Sequence, residues 1–334
     1  MSTDSSSVSV HEVAAADTPL ALLGPSDVAA ATRRAVDAAT AGRGPVVLTA
    51  EPGCRPGDVA RSIHDRSSGG SPWVVIDCSA SVAADLDERL FGAAARRAPQ
   101  ELEIVGHDAA IVAAGSGTLY LEHIEELPAS AQRRLARILR DGEVTIAGNH
   151  LASPSLFRLI STTTKDLEAE ARDGRFRTEL FRRLAARIVI PPLRQRPQDI
   201  PAILERLACD MGHRGVTITT AALTIVSAMP WPRNLDELAL VFARILETTQ
   251  GMVRQEDVLA HLPIQGGFTR PDLTASLRDA RRQFERDYIA AVLERHHWRM
   301  SAAARTLGIE RANLYRKTRQ LGISRVTRVE SARP

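Results

Sequence analysis

The chain has 334 residues, 44% of them hydrophobic and 25% charged, and a formal net charge of +3. That balance predicts a globular protein of two or three domains, and the absence of a long apolar run or of a basic, apolar leader argues against a membrane span or secretory signal. The cytoplasm is the expected location.

Three widely spaced cysteines, Cys54, Cys78 and Cys209, match no metal-ligand spacing and are odd in number, so they are read as reduced thiols. Almost every cation is Arg, with Lys only at Lys165 and Lys317. A site that needs a compact ammonium therefore has few candidates.

In chain order, residues 1–18 are rich in Ser, Ala and acidic groups and predict a disordered leader. From 19 to 212, five short β-rich runs alternate with amphipathic helical stretches: PVVLTA (45–50), PWVVIDCSA (72–80), GTLYLEHI (117–124), LFRLIST (156–162) and ARIVIPP (186–192). This pattern predicts parallel strands with crossover helices in an α/β layered domain. Residues 213–264 read as a small helical subdomain broken at Met229-Pro230-Trp231-Pro232, and 265–272 as a Gly/Pro linker. Residues 273–334 open on a charged helix whose apolar positions, Leu277, Phe284, Tyr288, Ile289, Val292 and Leu293, follow helical spacing. No internal repeat is evident. His261, His296 and His297 lack a third ligand, and Trp73, Trp231 and Trp298 fall in segments expected to pack.

The stretch SAAARTLGIERANLYRKTRQLGI (301–323) carries the most specific local signal. Ala302, Ala303, Ala304 and Leu307 make a small-residue helix face, Gly308 supplies a turn, and a second helix runs from about Arg311 to Leu321. Leu314 and Leu321 face inward and leave Arg311, Asn313, Tyr315, Arg316, Lys317 and Arg319 on a polar, cationic surface. Arg and Asn can read base edges in a major groove while other cations neutralise phosphates.

This segment resembles the Fis-type helix-turn-helix that ends the sigma-54-dependent transcription activators, including the NtrC-like group. The resemblance implies that the preceding helix forms a dimer and that the bound DNA site is two-fold related. It also implies an AAA+ domain upstream, a P-loop NTPase-like α/β parallel sheet with a helical lid. Matching landmarks occur in order: VARSIH (59–64), RLFG (89–92), GTLYLEHIEELP (117–128), RLARILRDGE (134–143), GRFRTELFRRL (174–184), PPLRQRPQDIP (191–201) and WPRNLDEL (231–238).

Within that resemblance the nucleotide site is altered. The family's phosphate loop reads GESGTGKE, whereas residues 50–57 here read Ala-Glu51-Pro-Gly53-Cys-Arg55-Pro56-Gly. A phosphate loop works through glycine-freed amides and a Lys ammonium. Pro56 offers neither charge nor amide, and Arg55 replaces a glycine. The family's Asp-Glu pair is Glu122-His123. Asp77 and Thr164 stand where the family has Asn, and Asp236 stands where it has a sensor Arg. Arg177 and Arg183 match its arginine fingers, which reach a neighbouring subunit. Residues 93–106 lack the GAFTGA loop that contacts the sigma-54 polymerase.

The expectation is a DNA-binding transcription regulator whose AAA+-like domain is a pseudo-ATPase and serves as an oligomerisation or partner scaffold. Expected partners are double-stranded DNA and a homo-oligomer of at least two copies or a mixed ring with a related activator, with RNA polymerase as a further partner and no membrane. No cofactor or metal is expected to be held firmly, ATP with magnesium being the family's ligand. Two alternatives stand beside this: an ATP-binding or hydrolysing, sigma-54-interacting activator that uses Arg55 and the Glu122-His123 pair, and a regulator that binds a nucleotide second messenger in the altered pocket.

Overall fold

The five apolar runs assemble into one parallel sheet: β1 (Val46–Ala50), β2 (Trp73–Asp77), β3 (Thr118–Glu122), β4 (Arg158–Thr163) and β5 (Ala186–Ile190), in spatial order β2-β3-β4-β1-β5. The computed structural model describes residues 7–8, 18–80, 83–92, 102–148, 151–249, 251–262, 285–286, 289, 292–293, 300–307, 311–321 and 323. Its contacts divide the chain into two compact units, residues 1–261 and 262–334. Among the described residues, no helix is long and apolar enough to cross a membrane.

The strand order has a direct functional consequence. β1 pairs with both β4 and β5, and β3 pairs with β2 and β4, every pairing being parallel. The carboxyl ends of β1, β3 and β4 therefore open side by side, the place where parallel sheets form ligand crevices. β1 and β4 are buried nearly throughout because helices cover both faces. Helix α1 (Asp27–Ala41) starts where the Ser26 hydroxyl accepts the Ala29 amide at 3.0 Å, and α2 (Pro56–Ser68) follows β1 through the short loop 51–55.

A buried ionic node fixes the start of α1 against the segment after β5. The Asp199 carboxylate accepts the Ser26 amide at 2.7 Å and the Ser26 hydroxyl at 2.6 Å. Arg196 donates to the Ala21 carbonyl at 2.7 Å and stands 3.9 Å from Asp199, with side-chain exposures of 1% and 0%. Gly24 completes the turn at φ +108°, where a Cβ would fall 2.2 Å from Asp199 Cγ.

Several elements differ from the sequence reading. Ser7–Val8, inside the segment read as a disordered leader, pairs antiparallel with Ile218 and Thr219. The extended chain there offers backbone donors and acceptors to a short strand, Thr217–Thr219, which also pairs in parallel with Met252–Val253. Both partners lie where the sequence reads as wholly helical, and the helices around them are 200–210, 220–228, 234–248 and 255–261. Trp231 at the break is 1% exposed and donates Nε1 to the Val226 carbonyl at 2.8 Å. A second small sheet joins Ile104–Val105, Glu143–Ile146 and Ala152–Pro154. Arg134 braces it, donating to Glu103 at 2.6 Å and to the Ile104 carbonyl at 2.9 Å, with its guanidinium 4.0 Å from the Phe91 ring centroid.

In the second unit, Ile289, Val292 and Leu293 pack with Ala303, Ala304 and Leu314. The small alanines let helices Met300–Leu307 and Arg311–Gln320 approach closely. Leu277, Phe284, Tyr288, Gly308, His296, His297 and Trp298 lie outside the described residues, as do the 265–272 linker and most of the leader.

Removing Asp199 leaves Arg196 buried without its carboxylate. Asp199→Ala is expected to lower unfolding stability by ~3 kcal/mol, read as a shift of the urea midpoint, and Asp199→Asn, which still accepts from Ser26, by less. Equal stability of both variants with the unaltered protein would remove the node from this account.

Candidate functional site

The carboxyl ends of β1, β3 and β4 surround a cavity of about 580 Å³ lined by the loop 50–58, Tyr120, Glu122, His123, Thr162–Thr164 and Asp236. Of the sequence-predicted nucleotide set, Glu51, Gly53, Arg55, Glu122, His123 and Thr164 come together here. Arg177 and Arg183 do not. They flank the short helix Thr178–Arg183 with exposed side chains, and neither forms an ion pair among the described residues.

The loop is built around two unusual backbone positions. Arg55 adopts a left-handed conformation, φ 56° and ψ 53°, and leads directly into Pro56 at the first turn of α2. Proline suits that turn because its φ is preset and its missing amide would be unpaired there in any case. Gly53 sits at φ +81° with the Arg233 carbonyl so close that a Cβ would lie 2.0 Å from its oxygen. Cys54, between them, is 1% exposed, and burial pushes its thiol up to about 11.

The helical subdomain holds this loop from the other side. The Asn234 side chain donates to the Pro52 carbonyl at 3.0 Å and accepts the Leu193 amide at 3.0 Å, while the Asp236 amide donates to the Gly53 carbonyl at 3.3 Å. Two ion pairs flank these contacts. Arg55 donates Nε to Asp236 at 2.7 Å, and Arg194 forks onto Glu51 at 2.6 and 2.5 Å. That fork holds the Glu51 carboxyl below its usual range, against the opposing effect of burial.

Four carboxylates, Glu51, Asp58, Glu122 and Asp236, line the cavity against one guanidinium, Arg55. Burial raises Asp58, and Arg55 only partly offsets this. A Cβ on Gly57 would lie 3.3 Å from the Tyr120 hydroxyl and 3.7 Å from Glu122 Oε1, so these two groups sit directly over the first turn of α2. Burial drives the Tyr120 phenol well above its usual range. His123 is left-handed at φ 53°, and its Nδ1 stands 3.8 Å from Glu125 Oε1, which also accepts the Thr164 amide and hydroxyl at 2.9 Å each. Burial pushes Glu125 up, but these donors outweigh it and leave the carboxyl lowered. Thr164 is thereby committed to Glu125, and Asp77 to Ser79, whose amide and hydroxyl reach it at 2.9 and 2.7 Å. Among the described residues, no group of three or more His, Cys, Asp or Glu side chains could hold a metal ion.

Sequence reasoning missed Asp58, Tyr120, Asn234 and Arg194 as parts of this site. The Pro-Arg-Asn run was the available signal for Asn234, since Asn tolerates the left-handed conformation it takes here at φ 50°.

On the second unit, Arg311, Tyr315, Arg316 and Arg319 are exposed along one helix, with Asn313 half-buried. Arg316 donates to Asn313 Oδ1 at 3.1 Å, and the Arg311 guanidinium lies 5.7 Å from the Tyr315 ring centroid. Lys317 departs from the expected solvent-facing set. It is half-buried and donates to Glu285, which lies in the chain ahead of the helix Met300–Leu307, so its first role is to tie the helix Arg311–Gln320 to that earlier segment.

The parallel sheet in the order 2-3-4-1-5, with its loop-to-helix crevice and attached helical subdomain, defines an AAA+-like fold. Solved structures agree. NtrX of Brucella abortus in complex with ADP matches with a TM-score of 0.60 at 27% identity, over 92% of this chain and 70% of that one. The same protein in complex with ATP gives 0.59 at 27% identity, over 90% and 69%. A RuvB from Thermogota maritima, at 16% identity and a TM-score of 0.50 over 92% and 90%, shares the fold.

Residues 22–189 match the sigma-54 interaction domain and residues 280–321 the Fis family of bacterial regulatory proteins. The chain belongs to the sigma-54 interaction domain family, with a Fis-family helix-turn-helix segment near its C-terminus. It is 29% identical to the nitrogen assimilation regulatory protein NtrX of Azorhizobium caulinodans over 94% of its own length and 72% of that protein. It is 31% identical to the nitric oxide reductase transcription regulator NorR1 of Cupriavidus necator, covering 83% of this chain and 59% of that protein. With the regulatory protein AtoC of Escherichia coli the identity is 30%, over 83% and 62%. The chain thus spans about three-fifths of the latter two relatives.

A thiol held at about 11 carries about one part in a thousand of thiolate at pH 8. Native Cys54 is therefore expected to resist iodoacetamide at pH 8 and to react on unfolding in urea, as read by mass mapping. Rapid labelling of the native chain at Cys54 would contradict the sealed loop.

Proposed function

We propose that the chain is a sequence-specific DNA-binding transcription regulator whose AAA+-like unit is a scaffold for oligomerisation or partner binding and does not hydrolyse ATP. One observation carries the second half of this reading: among the described residues, the crevice is lined by four carboxylates, no ammonium and one guanidinium already paired to Asp236. A triphosphate brings up to four negative charges, and like charges in a partly enclosed site repel. Pro56 removes an amide from the first turn of α2, and His123 supplies no carboxylate to orient a water.

The DNA-binding half rests on the Fis-family match and the exposed Arg311, Arg316 and Arg319 beside Asn313 and Tyr315. Arg177 and Arg183, exposed and without an ion pair among the described residues, support contact with a neighbouring copy or a related activator in a mixed ring. RNA polymerase is a further partner on the strength of the family, and the cytoplasm is the compartment in which such a regulator works.

A second reading draws on NtrX of Brucella abortus, whose structures hold ADP and ATP. In that reading the present crevice also takes nucleotide, with Arg55 and Glu122 as its contacts.

Two measurements decide between them. Under the scaffold reading, the full chain shows no ATP turnover, and its affinity for its own promoter DNA, located by genome-wide mapping, is the same with and without Mg-ATP. Turnover that disappears in Arg55→Ala would establish the second reading and end the first. For the reader helix, Arg311→Ala and Arg316→Ala are each expected to weaken specific DNA binding by about 1–3 kcal/mol. Lys317→Ala, whose ammonium faces Glu285, should weaken binding less while lowering the thermal stability of the second unit. Fluorescence anisotropy and melting curves on the three variants separate these roles.

A further inference from the structure

Arg55 and Asp58 line two cavities at once. One is the crevice of about 580 Å³, and the other is a cavity of about 620 Å³ bordered by Leu20, Arg61, Arg66 and Arg206. Arg55 and Asp58 thus belong to the wall between them, with Asp236 on the crevice side. Each other guanidinium on that border already has a carboxylate partner: Arg61 has Asp65 at 2.9 Å, Arg66 has Asp37 at 2.6 Å and Arg206 has Asp210 at 2.8 Å. Arg55 differs in one respect. Its partner comes from the first turn of the helix Asn234–Thr248, across the junction between loop and helical subdomain.

We propose that Asp236 is an internal competitor for phosphoryl anions: its carboxylate occupies the loop's only lining cation, Arg55, and an anion binds at the loop only by displacing it. The left-handed turn at Arg55 starts α2 and directs the guanidinium to Asp236. The Asp236 backbone is held independently by its amide bond to Gly53, and the neighbouring Asn234 by its bonds to Pro52 and Leu193. Neutralising the Asp236 side chain therefore frees Arg55 without removing the polar contacts that hold the helix against the loop. With side-chain exposures of 33% and 49%, the pair is exchangeable rather than sealed. The ligand class is a di- or triphosphate group, recognised by Arg55 as a fork donor and by the Gly57 and Asp58 amides of the first turn of α2 that follow Pro56.

This inference rests on the proposed reading that the crevice does not turn over ATP, but its test is separable. Inorganic pyrophosphate and Mg-ATP are titrated calorimetrically into the full chain and into Asp236→Asn, Asp236→Ser, the double variant Arg55→Ala/Asp236→Asn, and Asp173→Asn. The last removes one charge from the Arg175–Asp173 pair, outside the crevice. Asp236→Asn, or Asp236→Ser if the first fails to fold, is expected to bind at least about fivefold more tightly than the unaltered chain. That gain should shrink at 0.5 M salt, be absent in Asp173→Asn, and vanish in the double variant. No gain in either Asp236 variant, or a gain that survives loss of Arg55, overturns the proposal while leaving the scaffold reading intact. ATP turnover by the unaltered chain would do the reverse.

Discussion

The junction between the phosphate-loop region and the helical subdomain depends on one amide side chain. Asn234, fully buried and left-handed, bonds through one arm to the Pro52 carbonyl and through the other to the Leu193 amide. A buried carbonyl or amide left unpaired costs about 1–3 kcal/mol, so satisfying both with a single residue fixes where the helical subdomain meets the loop. Everything that characterises the crevice follows from that placement. It brings the Arg233 carbonyl against Gly53, the Asp236 amide onto the Gly53 carbonyl and the Asp236 carboxylate onto Arg55.

Charge then determines what such a crevice can do. The fold supplies the carboxyl ends of parallel strands, a glycine turn and a helix start, within an architecture shared with the related NtrX. The side chains on this frame are dominated by acids, and its lone guanidinium faces one of them. The Thr164 hydroxyl is committed to Glu125, so it projects no free donor toward a ligand, and the Asp77 carboxylate accepts from Ser79. The second unit has the opposite character: its helix Arg311–Gln320 exposes Arg311, Arg316 and Arg319, with Lys317 tying that helix to Glu285, ahead of Met300–Leu307 in the chain.

Much of this architecture was legible in the sequence because it depends on local pattern. The five strands came directly from short apolar runs, and the crevice residues Glu51, Gly53, Arg55, Glu122, His123 and Thr164 from motif positions. What escaped had no local signature. The Ser7–Val8 pairing depends on an edge more than two hundred residues away, at Ile218–Thr219. The Arg194–Glu51 fork and the Arg196–Asp199–Ser26 node link residues whose partnership appears only once the chain is folded. Helical spacing places Lys317 on the polar, cationic face, and spacing alone does not reveal that Glu285 stands within reach.

Under the proposed scaffold reading, this crevice is unfavourable to a triphosphate. Calorimetric titration of Mg-ATP into the full chain at physiological salt tests it most directly. No saturable binding is expected below about 1 mM, equivalent to less than about 4 kcal/mol. Stoichiometric binding of one ATP per chain at micromolar concentration would contradict it.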